Sequence, residues 1–134
     1  MLKFLRYLFS FLRTVDLFES NKSKSINKKF RKNFKLLILK SLRKNKNLQI
    51  SKYFDSYEFK KERFKKKQKF IALLDDEKLL CSGWSYKGTE WYISEVDLKI
   101  GIKNSIMLFD FETPESERNK GNYIAILKLI KNKF

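Results

Sequence analysis

In the first half of the chain apolar residues recur at helical spacing, and from residue 69 they alternate or gather in short blocks. Within MLKFLRYLFSFLRTVDLF, residues 1–18, the side chains of Lys3, Arg6, Ser10, Arg13 and Thr14 form one polar stripe on an otherwise mostly apolar segment. That pattern predicts an amphipathic helix. Arg13 interrupts the apolar run well short of the ~20 residues a membrane span needs. No small-residue cleavage site follows, so neither a transmembrane helix nor a signal peptide is expected. Such a helix either packs on the domain or lies in a membrane interface. Residues 20–33 are polar and basic and read as a loop. A second helix is expected over about 30–45, carrying Phe34, Leu36, Leu37, Ile38, Leu39 and Leu42. Asp55 then opens a third, exposed helix over 55–68, with Tyr57, Phe59 and Phe64 set among lysines.

From residue 69 the reading changes to strands. KFIALLDDEKLLCSGWSYK is two apolar runs around Asp75-Asp76-Glu77-Lys78, which is hairpin chemistry. EWYISEVDLKI, 90–100, reads as a third strand ended by Gly101, and SIMLFDFET, 105–113, as a fourth. Pro114 and an apolar helix over 118–133 follow. The expected class is therefore α+β: N-terminal helices, an antiparallel meander of about four strands, and a C-terminal helix. Residues 1–68 form a basic helical region and 69–134 a strand meander with its helix, within one domain overall.

Charge sharpens this division. Residues 1–69 hold 22 Lys and Arg against 5 Asp and Glu, whereas 70–134 hold 9 against 10, so the net +16 belongs to the first half. Either solvated lysine-rich faces account for it, or a polyanionic partner does, nucleic acid or an acidic membrane surface. Lysines interleaved with Tyr53, Phe54, Tyr57, Phe59 and Phe64 would suit phosphate contacts and base stacking. The same spacing suits a helix face packed on a sheet. The chain has no histidine and a single cysteine, Cys81, which excludes a Cys/His zinc site, a histidine base and an intramolecular disulfide. No metal is expected, a cytoplasmic setting fits, and Cys81 reads as a small core residue.

The junction FETPESERNKGNYIAILKLI carries the chemistry. A strand ends near Glu112, a turn passes Pro114, and a helix begins near Arg118 and Lys120. The first N–H groups of a helix lack intrahelical partners and its N-terminal dipole end is positive. Gly121 has no side chain to bar a ligand from that backbone. The turn is suited to phosphate or pyrophosphate, with Arg118 and Lys120 adding full charges.

Arg118-Asn119-Lys120-Gly121-Asn122-Tyr123 resembles the R-x-x-G-x-G/A loop of the GNAT superfamily of acyl-CoA-dependent N-acyltransferases, in its R-G-K-G-x-Y form. Gly83-Trp84 resembles the end of the preceding strand in a branch of small bacterial members, and ISEVDLKI the strand after it. The likeness covers about residues 60–134. It implies an N-acetyltransferase with acetyl-CoA as co-substrate, acting on an amine of a small molecule or sugar precursor. Main chain at Asn119, Lys120, Gly121 and Asn122 would bind the pyrophosphate, with Arg118 bracing the loop and Tyr123 completing the motif. The backbone of Phe109, Asp110 and Phe111 would pair with the pantetheine arm. Glu95 and Glu112 are the candidate carboxylates for accepting the amine proton. In that family a further strand and helix follow the loop helix, so the expectation is a chain cut short after it. A cut there leaves an uncovered strand edge and, on Tyr123, Ile124, Ala125, Ile126, Leu127, Leu129 and Ile130, a surplus apolar face. Both favour a homo-oligomer unless the N-terminal helices cover them.

Overall fold

The computed structural model describes residues 33–134, so the amphipathic helix expected at 1–18 and almost all of the loop expected at 20–33 lie outside the described residues. The described chain runs β1 (Phe34–Leu39), α1 (Leu48–Ser56), α2 (Glu62–Lys65), β2 (Lys69–Asp75), β3 (Lys78–Tyr86), β4 (Glu90–Ile93), β5 (Leu98–Gly101), β6 (Met107–Glu112) and α3 (Asn122–Lys133). Strands β1-β2-β3-β6, in that order, form one antiparallel sheet, and β4 and β5 form a separate two-stranded ribbon. The class is α+β, as the sequence predicts.

Where helix is expected over 30–45, residues 34–39 form strand β1, paired from Phe34 opposite Asp75 to Leu39 opposite Phe70. The misreading has a physical cause. Leu37 and Leu39 pack on one side of the sheet, and Phe34, Leu36 and Ile38 on the other. A strand covered on both faces shows a continuous apolar run rather than alternation, and a run this short does not distinguish strand from helix.

α1 begins at a sequence-encoded cap: Asn47 Oδ1 accepts from the N–H groups of Gln49 and Ile50 at 3.0 and 3.1 Å. Ile50 and Phe54, one turn apart, face the sheet and are fully buried. The single helix expected over 55–68 is instead the end of α1, a 3₁₀ turn at Glu58–Lys61 and the four-residue α2. The hairpin expected around Asp75-Asp76-Glu77-Lys78 is present, with Asp76 in the left-handed region at φ 52°. The strand expected over 90–100 folds back on itself. A 3₁₀ turn at Ser94–Val96 and left-handed Asp97 (φ 49°) separate β4 from β5.

Three layers result. On one side α1 and α2 bury Ile50 and Phe54 against Phe70, Ala72, Leu74 and Trp84, with Phe64 packed alongside. On the other, α3 sets Ala125, Ile126 and Ile130 on Ile71, Leu73, Leu80 and Cys81. The rest of the apolar face expected on α3 is less covered: Leu127 and Leu129 are half-buried, and Tyr123 and Ile124 are exposed. No helix among the described residues is long and apolar enough to cross a membrane.

The helix–sheet contact centres on aromatic edges and faces. Phe54 lies 4.9 Å from Phe70 and 5.9 Å from Trp84, ring centroid to centroid, and Phe64 lies 5.3 Å from Trp84. Phe54→Ala empties the middle of this cluster and should cost about 3–5 kcal/mol in urea denaturation. Phe59→Ala, at a position 64% exposed, should change stability by no more than about 0.5 kcal/mol.

Candidate functional site

β6 occupies the sheet edge, and no strand among the described residues pairs with its other side. A row of its backbone N–H and C=O groups is therefore left for another partner. The strand is also bulged. Ser82 stands opposite Glu112 and Trp84 opposite Phe109, so Asp110 and Phe111 together face the single residue Gly83. Asp110 takes φ 52° to make this possible. Glycine at 83 is required by packing, since a Cβ there would meet the Phe111 ring at 2.6 Å.

A cleft of about 1190 Å³ runs along β6, walled by the β4–β5 ribbon, by Arg63 of α2 and by Tyr123 of α3. Trp91 fixes the ribbon to the strand, its ring 4.7 Å from Phe109 and 5.5 Å from Tyr86. At the far end Phe111 and Tyr123 meet edge to face at 5.4 Å.

The cleft ends at the loop that opens α3. After Pro114 a 3₁₀ turn spans Glu115–Glu117, Arg118 is extended, and Asn119 and Gly121 are left-handed at φ 60° and 78°. α3 has no side-chain cap, and its first i→i−4 bond is Ala125 N–H to the Gly121 carbonyl at 3.0 Å. The N–H groups of Asn122, Tyr123 and Ile124 precede that bond and find no acceptor among the described residues. A Cβ on Gly121 would meet nothing within 4 Å among the described residues, so none of them covers the backbone there. Successive amides around left-handed residues at a helix N-terminus form a concavity suited to an anion.

The side chains of the loop are organised by Glu117. Its carboxylate is nearly fully buried and takes the ammonium groups of Lys78 at 2.5 Å and Lys120 at 3.3 Å. Its carbonyl accepts from buried Asn122 Nδ2 at 3.0 Å. Lys78 foremost, and Lys120 with it, hold the Glu117 carboxyl below the usual range against the opposing effect of burial. Lys120 is thus partly neutralised by Glu117. Arg118 turns back across the loop and donates from Nε to the Thr113 carbonyl at 3.2 Å, which braces the turn.

The two candidate carboxylates sit apart. Glu95, in the exposed 3₁₀ turn of the ribbon, lines the large cleft and accepts only from Ser94 Oγ at 3.2 Å among the described residues. Glu112 lines a second cavity of about 700 Å³ with Tyr53, Tyr57 and Arg118. Its Oε1 is taken up by Lys60, a buried ammonium that also donates to Tyr53 Oη at 2.6 Å. That ammonium lies 4.6 and 4.5 Å from the Tyr53 and Tyr57 ring centroids. Burial pushes the Lys60 pKa down, but the hydrogen bonds to Glu112 and Tyr53 outweigh it and leave it above the ordinary value. Nothing local marks Lys60 in the sequence, because its partner lies 52 residues away.

Of the aromatics weighed for base stacking, Phe54 is buried, Tyr53 and Phe64 pack on the core, and Tyr57 and Phe59 are exposed. Cys81 is fully buried and accepts from Thr113 Oγ1 at 3.4 Å, and burial pushes its thiol pKa up. It is a core residue beneath the loop.

The lowered Glu117 pKa fixes a sign. A carboxylate whose folded pKa lies below its unfolded value stabilises the fold above the unfolded value, about 4.3 for Glu, and loses that contribution as pH falls through the folded one. Glu117→Gln should therefore melt below the wild type at pH 7. Thermal melts followed toward pH 3 should show the gap closing below about pH 4.3.

No family model matches the chain, and no curated protein or solved structure matches it, so the activity of this site has to be read from its own residues.

Proposed function

We propose that the cleft binds an acyl-CoA thioester and that the chain is an N-acyltransferase, or the cofactor-binding part of one. The observation that carries this reading is the placement of a helix N-terminus that, among the described residues, is uncapped and uncovered at Gly121, at the end of a bulged strand edge that none of them pairs with. A pyrophosphate accepts from the N–H groups around 119–124, with Lys120 nearby. The pantetheine amides pair like a short strand with the free edge of β6, which positions the thioester near the bulge. The amine nitrogen attacks the thioester carbonyl, a C–N bond forms, the C–S bond breaks, and the thiolate leaves to be protonated. The proton lost from nitrogen needs an acceptor. Glu95 suits this better than Glu112, because it faces the cleft and its carboxylate is not held by an ammonium group among the described residues.

Isothermal titration with acetyl-CoA and CoA tests the reading. Binding in the micromolar range is expected. Gly121→Val places a β-branched side chain at φ 78°, in front of the orphan amides, and should weaken binding at least about tenfold, as the loss of one or two charge-assisted hydrogen bonds would. A folded protein that shows no heat with either ligand at millimolar concentration does not have this function.

A further inference from the structure

The bulge in β6 has an anchor outside the sheet. Arg63 on α2 donates from Nη2 to Asp110 Oδ2. The guanidinium carbon lies 5.1 Å from the Trp84 ring centroid and 5.4 Å from that of Phe109. Nη1 is buried and has no hydrogen-bond acceptor among the described residues. Two aromatic rings and one carboxylate therefore hold the charge. That carboxylate belongs to the residue with a left-handed backbone in the middle of a strand, a conformation uncommon outside glycine that aspartate adopts more readily than most residues.

The ion pair and the bulge require each other. Removing the bulge slides one end of β6 by a residue against β3, and such a slip turns side chains to the opposite face. The Asp110 carboxylate would leave α2, and a guanidinium stacked on rings would lose its counter-charge, which a mostly buried cation tolerates poorly. Conversely, a neutral residue at 63 removes what rewards Asp110 for its left-handed backbone. The pair joins residues 47 apart in the chain, the helical layer to the functional edge of the sheet.

We propose that Arg63 is a positioning residue for the cleft. By holding Asp110 left-handed it keeps the bulge formed and the free backbone groups of 109–111 turned toward the ligand. The inference rests on the acyl-CoA reading for the identity of the ligand, and on the geometry of Arg63, Asp110 and Gly83 for the coupling.

The test uses the ¹⁵N,¹³C-labelled chain. Arg63→Met keeps an apolar stem on Trp84 and removes the charge. The φ-dependent HN–Hα coupling and the Cα and Cβ shifts of Asp110 should then move from left-handed toward extended values. The dissociation constant for acetyl-CoA should rise about tenfold, within the usual range of such couplings. Adding Asp110→Gly to Arg63→Met makes a positive φ free of strain and should recover most of that loss, which restored packing could not do. Asp110→Ala, at a half-exposed position, should reproduce the Arg63→Met effect and serves if Arg63→Met does not fold. The proposal is overturned if residue 110 stays left-handed in Arg63→Met, or in Asp110→Ala where that variant is the one that folds. It is also overturned if affinity falls with residue 110 unchanged, or if Asp110→Gly recovers nothing. If the wild type binds no CoA, the acyl-CoA reading fails, and the conformation of residue 110 still decides the coupling.

Discussion

Two residues of β6 stand opposite one residue of β3, and the arrangement of the site follows from that mismatch. An unbroken ladder would carry β6 straight past Gly83 with Phe111 on a different register. The bulge instead lets the Phe111 ring lie over Gly83 and reach Tyr123 on α3, while Phe109 turns to meet Trp91 of the ribbon. One local irregularity thus fixes the α3 loop at one end of the cleft and the β4–β5 ribbon at the other. It combines a glycine where a Cβ cannot fit, an aspartate able to adopt positive φ, and an arginine paired with that aspartate.

Features decided by neighbours in sequence were legible. Asp76 and Glu77 announce the β2–β3 hairpin, because turn chemistry is local. The change from strand to Pro114 to an apolar helix announces the β6–α3 junction, and with it the uncapped helix end beside Gly121. Features decided by distant partners were not. β1 reads as helix because α3 covers one of its faces and α1 the other, which removes the alternation that would mark a strand. The segment 90–100 reads as one strand because nothing in its hydropathy shows Asp97 turning left-handed. The ion pairs Lys60–Glu112 and Arg63–Asp110 join the charged surplus of the first half to acids on β6, and Lys78–Glu117 joins two segments of the second half. Composition shows the surplus and not the pairing.

Those pairs also change the meaning of the basic first half. Lys60 and Arg63, whose stretch reads from sequence either as a solvated lysine-rich face or as a surface for a polyanion, are mostly buried and tie the helical layer to β6. Tyr53, Phe54 and Phe64 belong to the core that the same helices cover. Part of the positive charge between residues 50 and 70 therefore serves the fold beneath the cleft. The acidic partners sit on β6 and its loop, so the strand that presents the open edge is also tied by ion pairs to the helical layer.

In the proposed reading the loop opening α3 and the free edge of β6 bind CoA as a single site. The ¹H–¹⁵N spectrum followed during titration with CoA is the direct test. The amides of 119–124 and of 109–112 should shift together and saturate with one dissociation constant. Shifts confined to the lysine-rich face of residues 43–69, or movement in the loop with none on β6, would contradict it.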